Sequence, residues 1–329
     1  MKKKILSFLL AFQILIPNGY TSEMKSMEYY ARIQDQLRGK VYSVNGALVL
    51  LTDEGNILWS GTDTFGKMSS VDDSEAIEQI VVSSGAFSLC LLEGGEIRYY
   101  GKQENLDFFE GKLENVKMLA ATRGSAHALF YDGTVRCLFN QKLALIEEYN
   151  EVDEWKDIIA ISAGRSFLVG LRKDGTVLCS RTMGTDDWCR VTEWTDIIQV
   201  AAGYTGVIGL KRDGTVIANG IYADDGKSGT PPPMPAFDFS DWTDIVQVVA
   251  GVNYVAGLSK DGTVCVEGGE DNENVQGIKY ATGKWKDIVY IQGRTDFLVG
   301  IQNDGTVRAT GGLRKNNIDI EGWKAFTAE

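Results

Sequence analysis

A chain of 329 residues could hold two average domains, but all-β barrels and propellers of this length are routinely single units, and 44% hydrophobic content makes disorder the wrong default. The formal net charge of −12 repels phosphate backbones, so nucleic acid is not an expected partner. Glycine (37) far outnumbers proline (5), a balance that suits many tight turns between intact strand ladders.

At the N-terminus, Lys2, Lys3 and Lys4 precede an apolar stretch from Ile5 to Ile16 that is broken only by Ser7 and Gln13. A basic start followed by a short apolar run is the pattern of a secretory signal, and the run is too short to span a bilayer comfortably. Residues 1–22 are therefore expected to act as a signal peptide, although no A-x-A cleavage sequence follows Pro17. Secretion or display at the cell surface follows from this. The membrane would be touched only through that signal or through an uncleaved anchor. Residues 23–36 are polar and read as a linker or a short helix.

From residue 37 onward the chain repeats. An acidic-Gly or Gly-Gly dipeptide recurs with its second residue at Gly55, Gly95, Gly133, Gly175, Gly214, Gly262 and Gly305. A spacing of about forty residues is that of a propeller blade or a two-helix repeat. Four residues before each glycine stand Leu51, Leu91, Leu129, Leu171, Leu210, Leu258 and Ile301. Two residues after it stand Ile57, Ile97, Val135, Val177, Val216, Val264 and Val307, all β-branched, as half-buried strands prefer. An Asp-Gly turn between such columns predicts a hairpin, and no unit carries a helical period. Trp155, Trp194, Trp242 and Trp285 each open a run WKDI or WTDI with alternating apolar residues, ending near Gly164, Gly203, Gly251 and Gly293. The expected fold is all-β, a seven-bladed β-propeller over residues 37–329. Trp323 begins a partial eighth copy, WKAF, expected to close the ring against the first blade and so remove exposed sheet edges.

The glycine turn, apolar-Leu pair, Asp-Gly, β-branched residue and late glycine (Gly61, Gly101, Gly220, Gly268 and Gly311) resemble the regulator of chromosome condensation repeat. Phe139 and Arg181 replace the late glycine in two units, and Gly61 to Ser69 resembles the family's blade-to-blade segment. The family often places histidine eight residues before the hairpin glycine. Here Ala47, Phe87, Ser125, Phe167, Gly206, Tyr254 and Phe297 stand there, so the aromatics are expected to take over packing. The best-known member exchanges nucleotide on a small nuclear GTPase, and neither the charge nor the signal of this chain supports that activity. A secreted β-lactamase inhibitor of similar fold suggests inhibition of an extracellular enzyme as one form of binding.

Little in the sequence points to chemistry. The sole histidine, His127, falls in a column otherwise filled by Val49, Leu89, Val169, Ile208, Ala256 and Val299, which predicts a structural role. The segment GIYADDGKS has one residue too many for a phosphate-binding loop, and GTPPP after it cannot start a helix. Asp186, Asp187, Asp224 and Asp225 match no calcium-loop spacing. The five cysteines, Cys90, Cys137, Cys179, Cys189 and Cys265, form no disulfide framework, and only Cys179 and Cys189 are close enough for a local bridge. No cofactor, metal or catalytic residue is expected; a glycan- or peptide-acting enzyme using the central cleft stays open, because paired carboxylates meet only in space.

Two features point to binding. The longest interval between repeats, Tyr222 to Asp241, holds Pro231 to Pro233 followed by Met234 and Phe237, and either presents these side chains or folds back on the blade. Ten residues before each hairpin glycine lie Asn45, Gly85, Arg123, Arg165, Tyr204, Val252 and Thr295, turns expected to share one face. Arg123, Arg165 and Tyr204 are residue types enriched in hot spots. Tyr222, Met234 and Phe237 complete the candidate binding set. The expectation is a monomeric, exported protein-binding propeller without catalytic activity.

Overall fold

Every unit turns on a glycine that must be left-handed. Gly55, Gly95, Gly133, Gly175, Gly214, Gly262 and Gly305 have φ between +81° and +89°, a region strained for other residues. In five units an Asp-Gly-Thr sequence also ties the turn: Asp174 Oδ1, for example, accepts from the Thr176 N–H at 2.9 Å and its hydroxyl at 2.6 Å. The apolar columns on either side then pair as antiparallel strands.

The computed structural model describes residues 22–38, 40–44, 47–62, 76–83, 87–101, 111–140, 151–180, 189–204, 206–219, 237–268, 273–294, 297–313 and 317–326. Helix α1 (Ser22–Leu37) precedes seven antiparallel sheets. The first blade is β1 (Val41–Val44), β2 (Ala47–Leu51) and β3 (Ile57–Gly61). The second is β4 (Ile77–Val82), β5 (Phe87–Leu92), β6 (Glu96–Gly101) and the short β7 (Gly111–Lys112). The third is β8 (Val116–Ala121), β9 (Ser125–Phe130) and β10 (Val135–Asn140), and the fourth β11 (Ile158–Ala163), β12 (Leu168–Arg172) and β13 (Val177–Cys179). The fifth is β14 (Ile197–Ala202), β15 (Val207–Lys211) and β16 (Val216–Asn219), and the sixth β17 (Ile245–Ala250), β18 (Tyr254–Ser259) and β19 (Val264–Gly268). Helix α2 (Glu273–Thr282) leads to the seventh, β20 (Ile288–Arg294), β21 (Phe297–Gln302) and β22 (Val307–Gly311). The first strands of successive blades are neighbours all the way round, β20 lying beside β1. They form the inner ring of a closed seven-bladed propeller.

Trp155, Trp194, Trp242 and Trp285 lie against Gly170, Gly209, Gly257 and Gly300 of their middle strands. A Cβ on these glycines would meet the indole at 2.7 or 2.8 Å. The first three blades place Leu50, Cys90 and Ala128 in that column, and no tryptophan stands twenty residues before their hairpin glycines. Asp157, Asp196, Asp244 and Asp287, two residues after each indole, take φ of 53–59°, which aspartate tolerates better than most side chains. Their carbonyls accept from the hairpin of the same blade, as in Lys173 N–H to Asp157 O at 2.9 Å. After Asp157, Asp196 and Asp287 the next residue donates to the preceding blade's hairpin glycine, as in Ile158 N–H to Gly133 O at 3.0 Å.

The partial C-terminal copy does the same work at the seam. Ala325 N–H donates to Gly305 O of the seventh blade at 2.9 Å, and Ala325 O accepts from Asp53 N–H of the first at 3.2 Å. Helix α1 adds a second tie. Its stripe Tyr30, Ile33 and Leu37 is buried in the core shared by blades six, seven and one. The Tyr30 hydroxyl donates to Lys260 O, Gln34 to Val246 O, and Gln36 to Asp53. Cys179 and Cys189 are disulfide-bonded, with an S–S distance of 2.07 Å, joining blade four to the segment that enters blade five. Cys90, Cys137 and Cys265 are not disulfide-bonded.

Candidate functional site

Inner strands expose one backbone edge to the axis, and a buried edge needs partners. The chain supplies some from side chains. A bulge after the first residue of β4, β14 and β17 swings Gln79, Gln199 and Gln247 toward the next blade. Each amide bonds one residue twice: Gln247 accepts from Ile291 N–H and donates to Ile291 O, both at 2.8 Å. Gln79 does so with Leu119 and Gln199 with Val248.

Beyond the inner strands the chain turns back, and the turns bond to one another. Arg123 N–H donates to Arg165 O at 2.7 Å, Arg165 N–H to Tyr204 O at 3.4 Å, and Tyr204 N–H to Gly251 O at 3.1 Å. Four consecutive blades thus present their turns as one continuous run. Glycines allow the close approach: a Cβ on Gly203 would meet Gly251 O at 2.5 Å, and one on Gly251 would overlap the Tyr254 ring. Phe87, Phe167, Tyr254 and Phe297, in the column where the resembling repeat often has histidine, are all buried. The Tyr254 hydroxyl reaches Phe297 O of the next blade.

The run gathers three of the candidate residues. Arg123 is exposed, and Arg165 and Tyr204 are half-buried, with the Arg165 guanidinium 4.5 Å from the centre of the Tyr204 ring. Neither Arg123 nor Arg165 has a carboxylate partner among the described residues. Asn45, Gly85 and Thr295 lie outside the described residues, as do Tyr222 and Met234. Phe237 does not share this face. It is half-buried, stacked on Phe239 at 5.9 Å, which meets Trp242 edge-on at 4.9 Å in the core of the sixth blade.

Arg294 joins the site unannounced. At the end of β20 it stands where blades four to six have Gly164, Gly203 and Gly251, and that exchange was the available signal. Its guanidinium reaches Ala121 O of the third blade at 2.9 Å and lies 5.9 Å from the Tyr42 ring centre. Burial raises the Tyr42 hydroxyl above its ordinary pKa, so it stays protonated beside Arg294.

His127 is fully buried on β9. Its Nε2 lies 2.9 Å from Ser125 Oγ, which in turn meets Thr122 Oγ1 at 2.7 Å. Burial lowers its pKa to about 3, so the ring is neutral and out of reach of solvent. Among the described residues no three His, Cys, Asp or Glu side chains gather closely enough to hold a metal ion.

No family model matches the sequence, and no curated protein matches it. Solved structures do. The CRINKLY WD40 ectodomain of the Arabidopsis thaliana receptor kinase ACR4 superposes with a TM-score of 0.56 at 16% identity, covering 83% of this chain and 95% of that one. Yeast RCC1 (Prp20), solved bound to Kap60, gives 0.53 at 14% identity over 77% and 74% of the two chains. Human WBSCR16 gives 0.53 at 14% identity over 83% of each. Together with the seven repeats and the closed ring of inner strands, these likenesses give the chain the fold of a seven-bladed propeller of the regulator of chromosome condensation type.

Proposed function

We propose that the chain is a monomeric protein-binding propeller without catalytic activity, working outside the cell or on its surface and engaging its partner through the turn face. The run Arg123–Arg165–Tyr204 carries this reading. It sets hot-spot residue types on consecutive blades at spacings fixed by backbone hydrogen bonds. Rigid presentation reduces the entropy lost on binding, and a propeller face can supply the roughly 1,600 Å² that a specific interface buries. Solved proteins of like fold support it: yeast RCC1 was solved with Kap60, and Prp20p has binding properties toward Gsp1p and histones.

Burial of the only imidazole supports a non-catalytic role, because histidine-dependent nucleophilic catalysis needs that ring at the substrate. The Cys179–Cys189 bond supports export, since such bonds persist in oxidising compartments. Inhibition of an extracellular enzyme would be one form of this binding. The test is capture by the immobilised chain from culture supernatant and envelope fractions. A saturable protein partner, lost on Arg165→Ala, is the expected result; turnover of a glycan or peptide that depends on one carboxylate would overturn the reading.

A further inference from the structure

The turn face carries two arginines that have no carboxylate partner among the described residues. Elsewhere, three lysines near the hairpin turns are paired: Lys260 with Asp244 at 2.8 Å, Lys324 with Asp304 at 2.9 Å, and Lys40 with Asp53 at 3.2 Å. The described turn residues 122–125, 164–167, 203–204 and 251–254 contain two arginines and no carboxylate, on a chain of net charge −12. Arg123 and Arg165 sit side by side, because the backbone of one donates to the backbone of the other. Arg165 is further oriented by its stack on Tyr204. Two arginines on bonded neighbouring turns, without carboxylate partners among the described residues, offer forked donors matched to carboxylates.

We infer that Arg123 and Arg165 form a carboxylate-binding pair that receives an acidic segment of the partner protein, with Tyr204 holding Arg165 in the receiving position. This rests on the reading of the turn face as the binding face and names the chemistry it selects. A protein segment is favoured over a nucleic acid because the surrounding molecule repels an extended polyanion, while a short acidic segment needs only the local pair.

The experiment titrates fluorescein-labelled hexaglutamate with the full chain at low ionic strength, read by fluorescence anisotropy. Arg123→Gln and Arg165→Gln should each weaken binding about tenfold, since each removes a charge-assisted contact. Both substitutions spare the backbone bonds of the ring, so the thermal melt should stay unchanged. Tyr204→Leu should weaken binding less than the loss of either arginine, and Arg308→Gln, near the hairpins, should leave it unaltered. Hexaglutamate binding that is absent, or indifferent to both arginines, overturns the pairing. So does single-stranded DNA or heparin that binds more tightly with the same arginine dependence. If a captured protein partner is retained by the Arg123→Gln/Arg165→Gln double variant, the inference fails while protein binding itself stands.

Discussion

At the scale of single residues, the chain holds one histidine and so one imidazole titration. In the unfolded chain His127 has an ordinary pKa of about 6.5; in the folded chain burial lowers it to about 3. A depressed folded value means that protonation favours unfolding. The stability tied to the neutral ring is complete above about pH 6.5 and is lost as the pH falls toward 3, by up to ~1.4 kcal/mol per pH unit. Resistance to unfolding in urea should therefore fall between about pH 6.5 and 5, before the carboxylates titrate. His127→Val, which restores the residue type of the other blades, should flatten that interval; a wild-type profile already flat there would show that the ring is not held neutral. The Trp–Gly pairs make a second residue-scale prediction. Gly257→Ala sets a methyl 2.7 Å from the Trp242 indole and should cost about 1–3 kcal/mol. The third blade already contains the smaller combination, Leu113 with Ala128. Adding Trp242→Leu to Gly257→Ala should thus cost less than the two single losses added, as a double-mutant cycle would measure.

At the scale of the strand, much was legible because the signal is local. The hairpin columns and the Asp-Gly turns predict β2–β3 and each later pair from residues within seven positions of one another. The tryptophan runs likewise predict β11, β14, β17 and β20. What was not legible depends on the neighbouring blade. Gln79, Gln199 and Gln247 stand plainly in apolar strands, yet their partners Leu119, Val248 and Ile291 are more than thirty-nine residues away. Helix α1 read as polar because its buried stripe among the described side chains is Tyr30, Ile33 and Leu37, and its docking surface comes largely from the far end of the chain. Arg294 escaped for a related reason: its contact is a carbonyl on blade three. The turn column did place Arg123, Arg165 and Tyr204 together, since a repeat copies position as well as strand. Gln247→Leu tests the glutamine bonds. It keeps the bulk but leaves a buried N–H and C=O of Ile291 without the amide, at about 1–3 kcal/mol for each group. A chemical-denaturation midpoint unchanged from wild type would mean that water can stand in for the amide.

At the scale of the whole molecule, a ring of seven sheets is only as stable as its seam, because an open ring leaves two edges unpaired. Six junctions are covalent, each blade running into the next. The seventh joins blade seven to blade one and is held by β20 beside β1, by helix α1 and by the C-terminal copy. The copy earns its place through backbone geometry: Trp323 N–H bonds Ile320 O as Trp285 N–H bonds Thr282 O, and Ala325 then bridges Gly305 and Asp53. Its fit is looser than in the internal copies. Leu50 fills the column where the other indoles meet glycine, and Trp323, like Trp285, is half-buried, whereas Ala325 is fully buried. The stabilisation should accordingly rest on the backbone bonds and Ala325 more than on the indole. Deleting Trp323 to Glu329 should remove about 2 kcal/mol and lower the melting temperature by about 4–8 °C, given ~2–4 °C per kcal/mol for a chain of this size. Ala325→Pro, which removes the donor to Gly305, should reproduce much of that loss, and Trp323→Ala should reproduce less. If the indole substitution instead proves the more damaging, the seam is held by side-chain packing. An unaltered melt after deletion would leave helix α1 as the clasp, and truncation before Tyr30 would then have to open the ring.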